Sequence, residues 1–270
     1  MDRERAQQVE ACDERAWRDM YQAIPQAFAE KLGFEQVTVG DLSVFLCAKV
    51  PFIHFNACGA TLGLGPADAA RLDAVAAAWR ERGIGKHWVH TIPEVEPRLS
   101  ADLAERGYVR TSTWDRVHRR PAPLPALPPL PRPIEVRRVG SAEATAWAGF
   151  IDRVYGLPTS PWLLALVGRP GWHHYAAFEA GQIVAVRTLC VTEGWGWLGI
   201  DAPIPGVMTA DMVPDRAILR AIVADLPSLG CTDLVSDVEA NSPGRDTEGY
   251  VAYQELGFEV LYTRVNVAGA

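Results

Sequence analysis

Residues 230 to 266 read GCTDLVSDVEANSPGRDTEGYVAYQELGFEVLYTRVN, from Gly230 to Asn266. Leu234, Val235 and Val238 form a short apolar strand, and the Asn-Ser-Pro-Gly run at 241–244 breaks it. Thr247 to Leu256 reads as one short helix that Gly257 stops, and Phe258 to Val265 alternates as a further strand. The unit is therefore strand, short helix ending Tyr-Gln-Glu-Leu-Gly-Phe, strand.

Upstream, the second half supplies a sheet for this unit to join. Ile134 to Val139 reads as a strand, Ser141 as the cap of a helix running to Val154, and Trp162 to Val167 as a short helix. His174–Glu179, Gln182–Val191 and Trp195–Ile200 read as three strands joined by Ala180-Gly181 and Glu193-Gly194 turns. An amphipathic helix over Asp215–Leu226 follows Pro214. The first half repeats the closing pattern: a strand at His87–Ile92, a helix at Glu96–Glu105, Gly107, and a strand at Tyr108–Val117, with Leu103 where Tyr253 stands later. That points to a divergent duplication, with convergence of two helix-strand units as the alternative.

Before that unit come two helices or one kinked helix over residues 3–31, interrupted at Pro25. Strands follow at Val37–Val39, Ser43–Lys49 and Phe52–Ala57, then a glycine-rich turn (Gly59 to Gly65) and a helix over Pro66–Arg82. Between the halves lies PAPLPALPPLPRP, Pro121 to Pro133, whose proline density favours an extended segment and suits a spacer. A docking motif for an aromatic groove is the competing reading. The expected organisation is 1–120, a linker at 121–133, and 134–270.

The 270 residues are 49% hydrophobic and 22% charged, ordinary for a globular chain with a core in each half. A formal charge of -7 argues against nucleic acid or an anionic membrane as the main partner. The charged start MDRERAQQVEACDERAW and the lack of a long apolar window predict a cytoplasmic protein. Cys12, Cys47, Cys58, Cys190 and Cys231 have neither disulfide-framework nor zinc spacing, and His87 with His90 points to opposite faces of its strand, so no metal site is indicated.

Tyr253 to Phe258, the Tyr-Thr-Arg-Val-Asn ending at Tyr262 to Asn266, and the element order over 134–266 resemble the GNAT superfamily of acyl-CoA-dependent N-acyltransferases. The first half, with Phe55-Asn56 and Gly63-Leu64-Gly65-Pro66, resembles the degenerate N-terminal half of tandem GNAT proteins. The resemblance implies an α/β fold of two tandem domains, each a mixed, mostly antiparallel central sheet flanked by helices. It implies transfer of an acyl group from acyl-CoA to an amine-bearing small molecule or peptide. It also implies that Tyr253, four residues before the helix-ending glycine, is the acid that protonates the departing thiolate. Packing of a helix on a sheet is the plainer role for such a tyrosine.

The same resemblance places a pyrophosphate-holding loop before the Asp215–Leu226 helix, at Gly206 and Val207, with Arg216 and Arg220 as basic neighbours. The stretch departs from the family's glycine-rich pattern, and Asp211 and Asp215 would oppose a pyrophosphate there. Attack on a thioester needs an uncharged amine, so a base belongs near the strand ends. Asp201 is the first choice, Glu239 the second and Asp237 the third; each could instead cap a turn or sit on a solvated edge. Trp195 and Trp197 share a strand face and line either an acyl pocket or the core. Two rival readings keep the fold. One takes the acyl group from a carrier protein's phosphopantetheine; the other is a decayed binding module.

Overall fold

The computed structural model describes residues 3–50, 52–59, 69–204, 208–240 and 248–269. The chain divides into two compact units: residues 1–116, 239–241 and 261–270 form the first, and residues 117–238 and 242–260 the second. The last strand thus adds its end to the first unit. The proline-rich segment groups with the second, where Arg119 donates to the Ala122 carbonyl (2.5 Å) and Arg220 to that of Pro128 (2.7 Å).

The first unit opens with α1 (Arg3–Gln22) and α2 (Gln26–Leu32), separated at Pro25 because proline cannot continue a helix ladder. Next come β1 (Phe34–Val39), β2 (Leu42–Cys47), β3 (Ala57–Cys58), α3 (Ala69–Arg80), β4 (His87–Thr91), α4 (Pro97–Glu105) and β5 (Val109–Arg119). Strand order is β1-β2-β3-β4, then β11 (Glu259–Gly269), then β5. The pairs β1–β2, β2–β3 and β4–β11 are antiparallel, and β3–β4 is parallel. Leu72, Val75 and Trp79 of α3 and Leu99 and Leu103 of α4 pack on Leu42, Val44, Leu46 and Val89 of the sheet.

The strand expected over Phe52–Ala57 is instead a single tight helical turn at Ile53–Phe55. Asn56 makes the difference: its side chain accepts from the Cys47 N–H (2.6 Å) and donates to the Cys47 carbonyl (3.2 Å), while Tyr21 donates to the Phe55 carbonyl (2.6 Å). Those bonds satisfy the backbone polar groups that a ladder would have used.

The second unit contains β6 (Glu135–Arg138), α5 (Ala144–Tyr155), α6 (Ser160–Leu166), β7 (Trp172–Glu179), β8 (Gln182–Thr192), β9 (Trp195–Ala202), α7 (Val213–Asp225), β10 (Asp233–Glu239) and α8 (Glu248–Glu255). Its strands run in the order β10-β9-β8-β7-β6, antiparallel except for the parallel pair β9 and β10. Both units therefore show the mixed, mostly antiparallel sheet with flanking helices that was expected. Ser141 does not cap α5; the helix starts at Ala144, and Glu143 folds back to accept from the Gly140 N–H (3.1 Å). Gly257 ends α8 at φ +80°, a left-handed conformation that favours glycine.

The two faces of this sheet have separate cores. Trp147, Ala148 and Ile151 of α5 and Leu163 of α6 cover Ala176, Phe178, Val186 and Ala202. Ile218, Leu219, Ile222 and Val223 of α7, with Ala252, Tyr253 and Leu256 of α8, cover Tyr175, Ala177, Ala185, Leu189, Leu198 and Leu234. Alternation separates the two faces except where the register slips, at Ala177–Phe178 in the β7–β8 pair and at Val186–Thr188 in the β8–β9 pair.

Gly199 has a steric reason to be glycine. A Cβ there would collide with the ring of Trp197, which lies over Gly199 and meets Trp172 edge-on at 6.3 Å. Gly199→Ala is expected to expel the indole and cost about 1–3 kcal/mol, read as a lower urea midpoint with altered tryptophan emission. An unchanged midpoint would refute the packing account.

Candidate active site

The site lies in the second unit, where β9 and β10 part. Their parallel pairing covers Asp233–Val235 against Trp195–Trp197, and both strands continue beyond it. Strands that diverge leave backbone and side chains without a ladder partner, which is where a ligand can enter.

Arg187, mid-strand in β8, is the centre. It has the parity of Ala185 and Leu189, so it faces α7 and α8, and only 3% of it is exposed. Its Nε and Nη2 donate to Asp215 Oδ1 at 3.1 and 3.0 Å, Nη2 reaches Asp201 Oδ2 at 3.3 Å, and Nη1 donates to Tyr253 Oη. Ser236 Oγ of β10 lies 2.7 Å from the same phenol oxygen. A guanidinium can only donate, so the Tyr253 oxygen accepts from it, and the phenol's own proton is left for Ser236 or for a ligand.

A β-bulge brings Asp201 to this cluster. The β8–β9 register slips between Val186 and Thr188, so that Arg187 stands opposite an extra residue of β9, and Ile200 there has φ +48°. Leu198 packs under α7 and α8, whereas Ile200 and Ala202 pack under α5. The slip therefore turns Asp201 to the face of Arg187, where regular alternation would have turned it away. Left-handed φ at a β-branched residue costs on the order of 1–3 kcal/mol and persists where the surroundings impose it. Tyr155 of α5 donates to the Asp201 carbonyl and helps hold the bulge.

Burial and charge set the protonation states. Burial pushes the Tyr253 phenol up to about 12, against the pull of Arg187. Burial also raises the Asp215 carboxyl, with Arg187 opposing and Asp201 adding to the rise, and Asp215 Oδ2 has no hydrogen-bond partner among the described residues. The guanidinium itself stays charged: burial disfavours it, but Asp215, Tyr253 and Asp201 reverse that. Asp201 remains 30% exposed in its side chain, so one carboxylate of the pair faces outward.

The structure thus joins Tyr253 and Asp201 through a residue the sequence reading passed over. Arg187 carried a signal all the same: a lone charge within the apolar run Val184-Ala-Val-Arg-Thr-Leu. Glu239 closes β10 and groups with the first unit. Trp197 is buried against Trp172, and Trp195 stacks with His118.

Gly206 and Val207 lie outside the described residues. Arg216 and Arg220 approach Glu255 at 3.7 and 4.0 Å. At the start of α7, Asp211 Oδ1 accepts the Val213 N–H (3.1 Å), Pro214 has no N–H, and Arg132 pairs with Asp211. Among the described residues no cluster of His, Cys, Asp and Glu is arranged to hold a metal, and no helix is long and apolar enough to cross a membrane.

No protein-family model matches the chain, and no curated protein sequence does. Solved structures share its fold. A GCN5-related N-acetyltransferase from Kribbella flavida is 18% identical with a TM-score of 0.60, over 87% of this chain and 89% of its own. Another from Sphaerobacter thermophilus is 14% identical with a TM-score of 0.59, over 78% and 71%. A tandem GNAT protein from the clavulanic acid biosynthesis pathway is 14% identical with a TM-score of 0.52, over 79% and 74%. The chain has the GNAT fold, and its tandem arrangement has a counterpart among solved structures.

Proposed function

We propose that this protein is an acyltransferase that moves an acyl group from a coenzyme A thioester directly to an amine. The observation that carries the reading is the Arg187 fork, which holds a phenol and a carboxylate side by side where β9 and β10 separate. In aminolysis the entering nitrogen and the leaving sulfur share one carbon, so base and acid must stand close together. Asp201 takes a proton from the amine as the nitrogen attacks the carbonyl. The C–S bond then breaks with its electron pair going to sulfur, and Tyr253 supplies the proton. The similar structures from Kribbella flavida and Sphaerobacter thermophilus are N-acetyltransferases by name, which supports the class. Arg216 and Arg220 near the donor's phosphates belong to the same proposal; Trp195 and Trp197 lie on the face of β9 opposite Arg187, where Trp197 packs on Trp172 and Trp195 on His118, and Glu239 belongs to the first unit, so these three take no part in it.

A second reading has one observation in its favour. The Asp211 cap and Pro214 remove two backbone donors from the start of α7, where a pyrophosphate would need them. A donor carried on a protein's phosphopantetheine arm has no adenosine pyrophosphate and loses nothing there.

Thermal unfolding with coenzyme A, acyl-CoAs of increasing length and S-acyl-pantetheine tests both. Specific binding stabilises by mass action, about 2.7 kcal/mol at a hundredfold excess over Kd. A saturable rise with an acyl-CoA supports the first reading, and a rise with acyl-pantetheine alone supports the second. No rise with any thioester overturns both and leaves a binding module.

A further inference from the structure

We propose that Arg187 is a positioning residue for the transfer step: one guanidinium fixes the Tyr253 hydroxyl and the Asp201 carboxylate together, and Ser236 sets which way the phenol proton points. The inference rests on the acyltransferase reading and adds two residues to it.

A buried arginine between two aspartates is a poor way to stabilise a sheet, since apolar residues of similar volume usually do as well or better. Arg187 nevertheless stands in the core face of β8, among Ala185, Leu189 and Leu198. Its donors are distributed by direction. Two go to Asp215 Oδ1 on the first turn of α7, which acts as a strut holding the guanidinium plane. The outer edge then presents one N–H to Asp201 Oδ2 and one to Tyr253 Oη. That contact uses Oδ2 of a part-exposed carboxylate, which leaves Oδ1 as the oxygen to take an amine proton.

Ser236 completes the set. Its hydroxyl can accept from Tyr253 or donate to it across 2.7 Å. When it donates, the phenol oxygen already holds the Arg187 N–H, and the phenol proton is directed at whatever occupies the cleft. During transfer that O–H bond breaks, an S–H bond forms on the leaving thiolate, and the tyrosinate keeps two donors, from Arg187 and Ser236. Asp201 meanwhile holds the amine's proton. Its return to the tyrosinate restores the starting state, so amine and thioester become amide and thiol with no net proton change. The groups around the phenol are Arg187 of β8, Asp201 of β9, Ser236 of β10 and Asp215 of α7; Phe258 meets its ring edge-on at 4.9 Å.

The test is to place 3-fluorotyrosine at position 253 and follow its ionisation by fluorine NMR in the wild type, Arg187→Gln and Arg187→Lys. Arg187→Lys keeps the charge without the fork, and it keeps the question answerable if Arg187→Gln fails to fold. Thiol release from acetyl-CoA with a primary-amine acceptor is measured alongside. Loss of the guanidinium is expected to raise the residue-253 titration by about one pH unit in Arg187→Gln and by less in Arg187→Lys. It should lower kcat about 100-fold, with KM for the thioester held within about threefold. Arg187→Lys combined with Tyr253→Phe should lose less than the product of the single losses. An unmoved titration, or losses that multiply, overturns the positioning role and leaves Arg187 as structure. Absence of thiol release in the wild type overturns the acetyl-transfer reading instead, while the titration still reports whether Arg187 controls the phenol.

Discussion

Tyr253→Phe is expected to lower kcat by about 10²–10⁴-fold while KM for the thioester changes by no more than a few-fold. The phenyl ring keeps the packing on Phe258 and the α8 face, so the loss is confined to one oxygen and its proton. That oxygen accepts from Arg187 and shares a hydrogen bond with Ser236, and its removal leaves a buried guanidinium N–H and a buried hydroxyl without a partner. A stability loss of about 1–3 kcal/mol should accompany the kinetic effect. The two readouts separate cleanly, because acid catalysis is lost even in the fraction that remains folded. If the variant turns over at the wild-type rate under saturating substrates, Tyr253 takes no part in proton transfer.

Arg116→Met should lower the stability of the first unit by about 3–5 kcal/mol near neutral pH. Arg116 is completely buried, with Nε 3.1 Å from Glu10 Oε1 and Nη2 3.0 Å from Asp13 Oδ2. Arg264 reaches the same two carboxylates at 3.6 and 3.3 Å, and Tyr262 donates to Glu10 at 2.7 Å. Two arginines face two carboxylates, and deleting one arginine strands a negative charge in the core. The charge balance also fixes the acid behaviour. Burial raises the Asp13 carboxyl, but Arg116 and Arg264 outweigh burial and hold it at about 2; the same two arginines hold Glu10 below its usual value against burial.

Both carboxyls are depressed, so their contribution is complete above the unfolded value of about 4 and is lost as pH falls toward 2. In Arg116→Met that loss begins at higher pH. Arg116→Met with Asp13→Asn should recover part of the stability, since it removes the stranded charge. Urea unfolding of the three proteins between pH 3 and 7 measures this, and equal midpoints for wild type and Arg116→Met would refute the buried-charge account.

Local chemistry made much of the fold legible. Pro25 separates α1 from α2, Gly257 ends α8, and β7, β8 and β9 lie on either side of the Ala180-Gly181 and Glu193-Gly194 turns. Where local signals were overridden, a side chain had taken over backbone hydrogen bonds. Asn56 did so at the expected strand Phe52–Ala57, and Glu143 did so ahead of α5, where Ser141 had the better capping chemistry. Such substitutions depend on what lies across the fold, as Cys47 does for Asn56, and short-range periodicity does not record it.

The candidate site divides the same way. The sequence by itself determined that a tyrosine stands on the short helix between the last two strands, with Asp201 at the end of β9, because both follow from element order and spacing. Only the tertiary structure decided that they meet. Regular alternation gives Asp201 the parity of Trp195 and Trp197 and turns it away from the α7 and α8 face. The extra residue opposite Arg187 and the left-handed backbone at Ile200 reverse that parity. Arg187 then joins Asp201, Asp215 and Tyr253, three groups from three separate elements. A register slip of one residue turns a side chain to the other face of a sheet, and two-residue periodicity read along one strand does not show where such a slip falls.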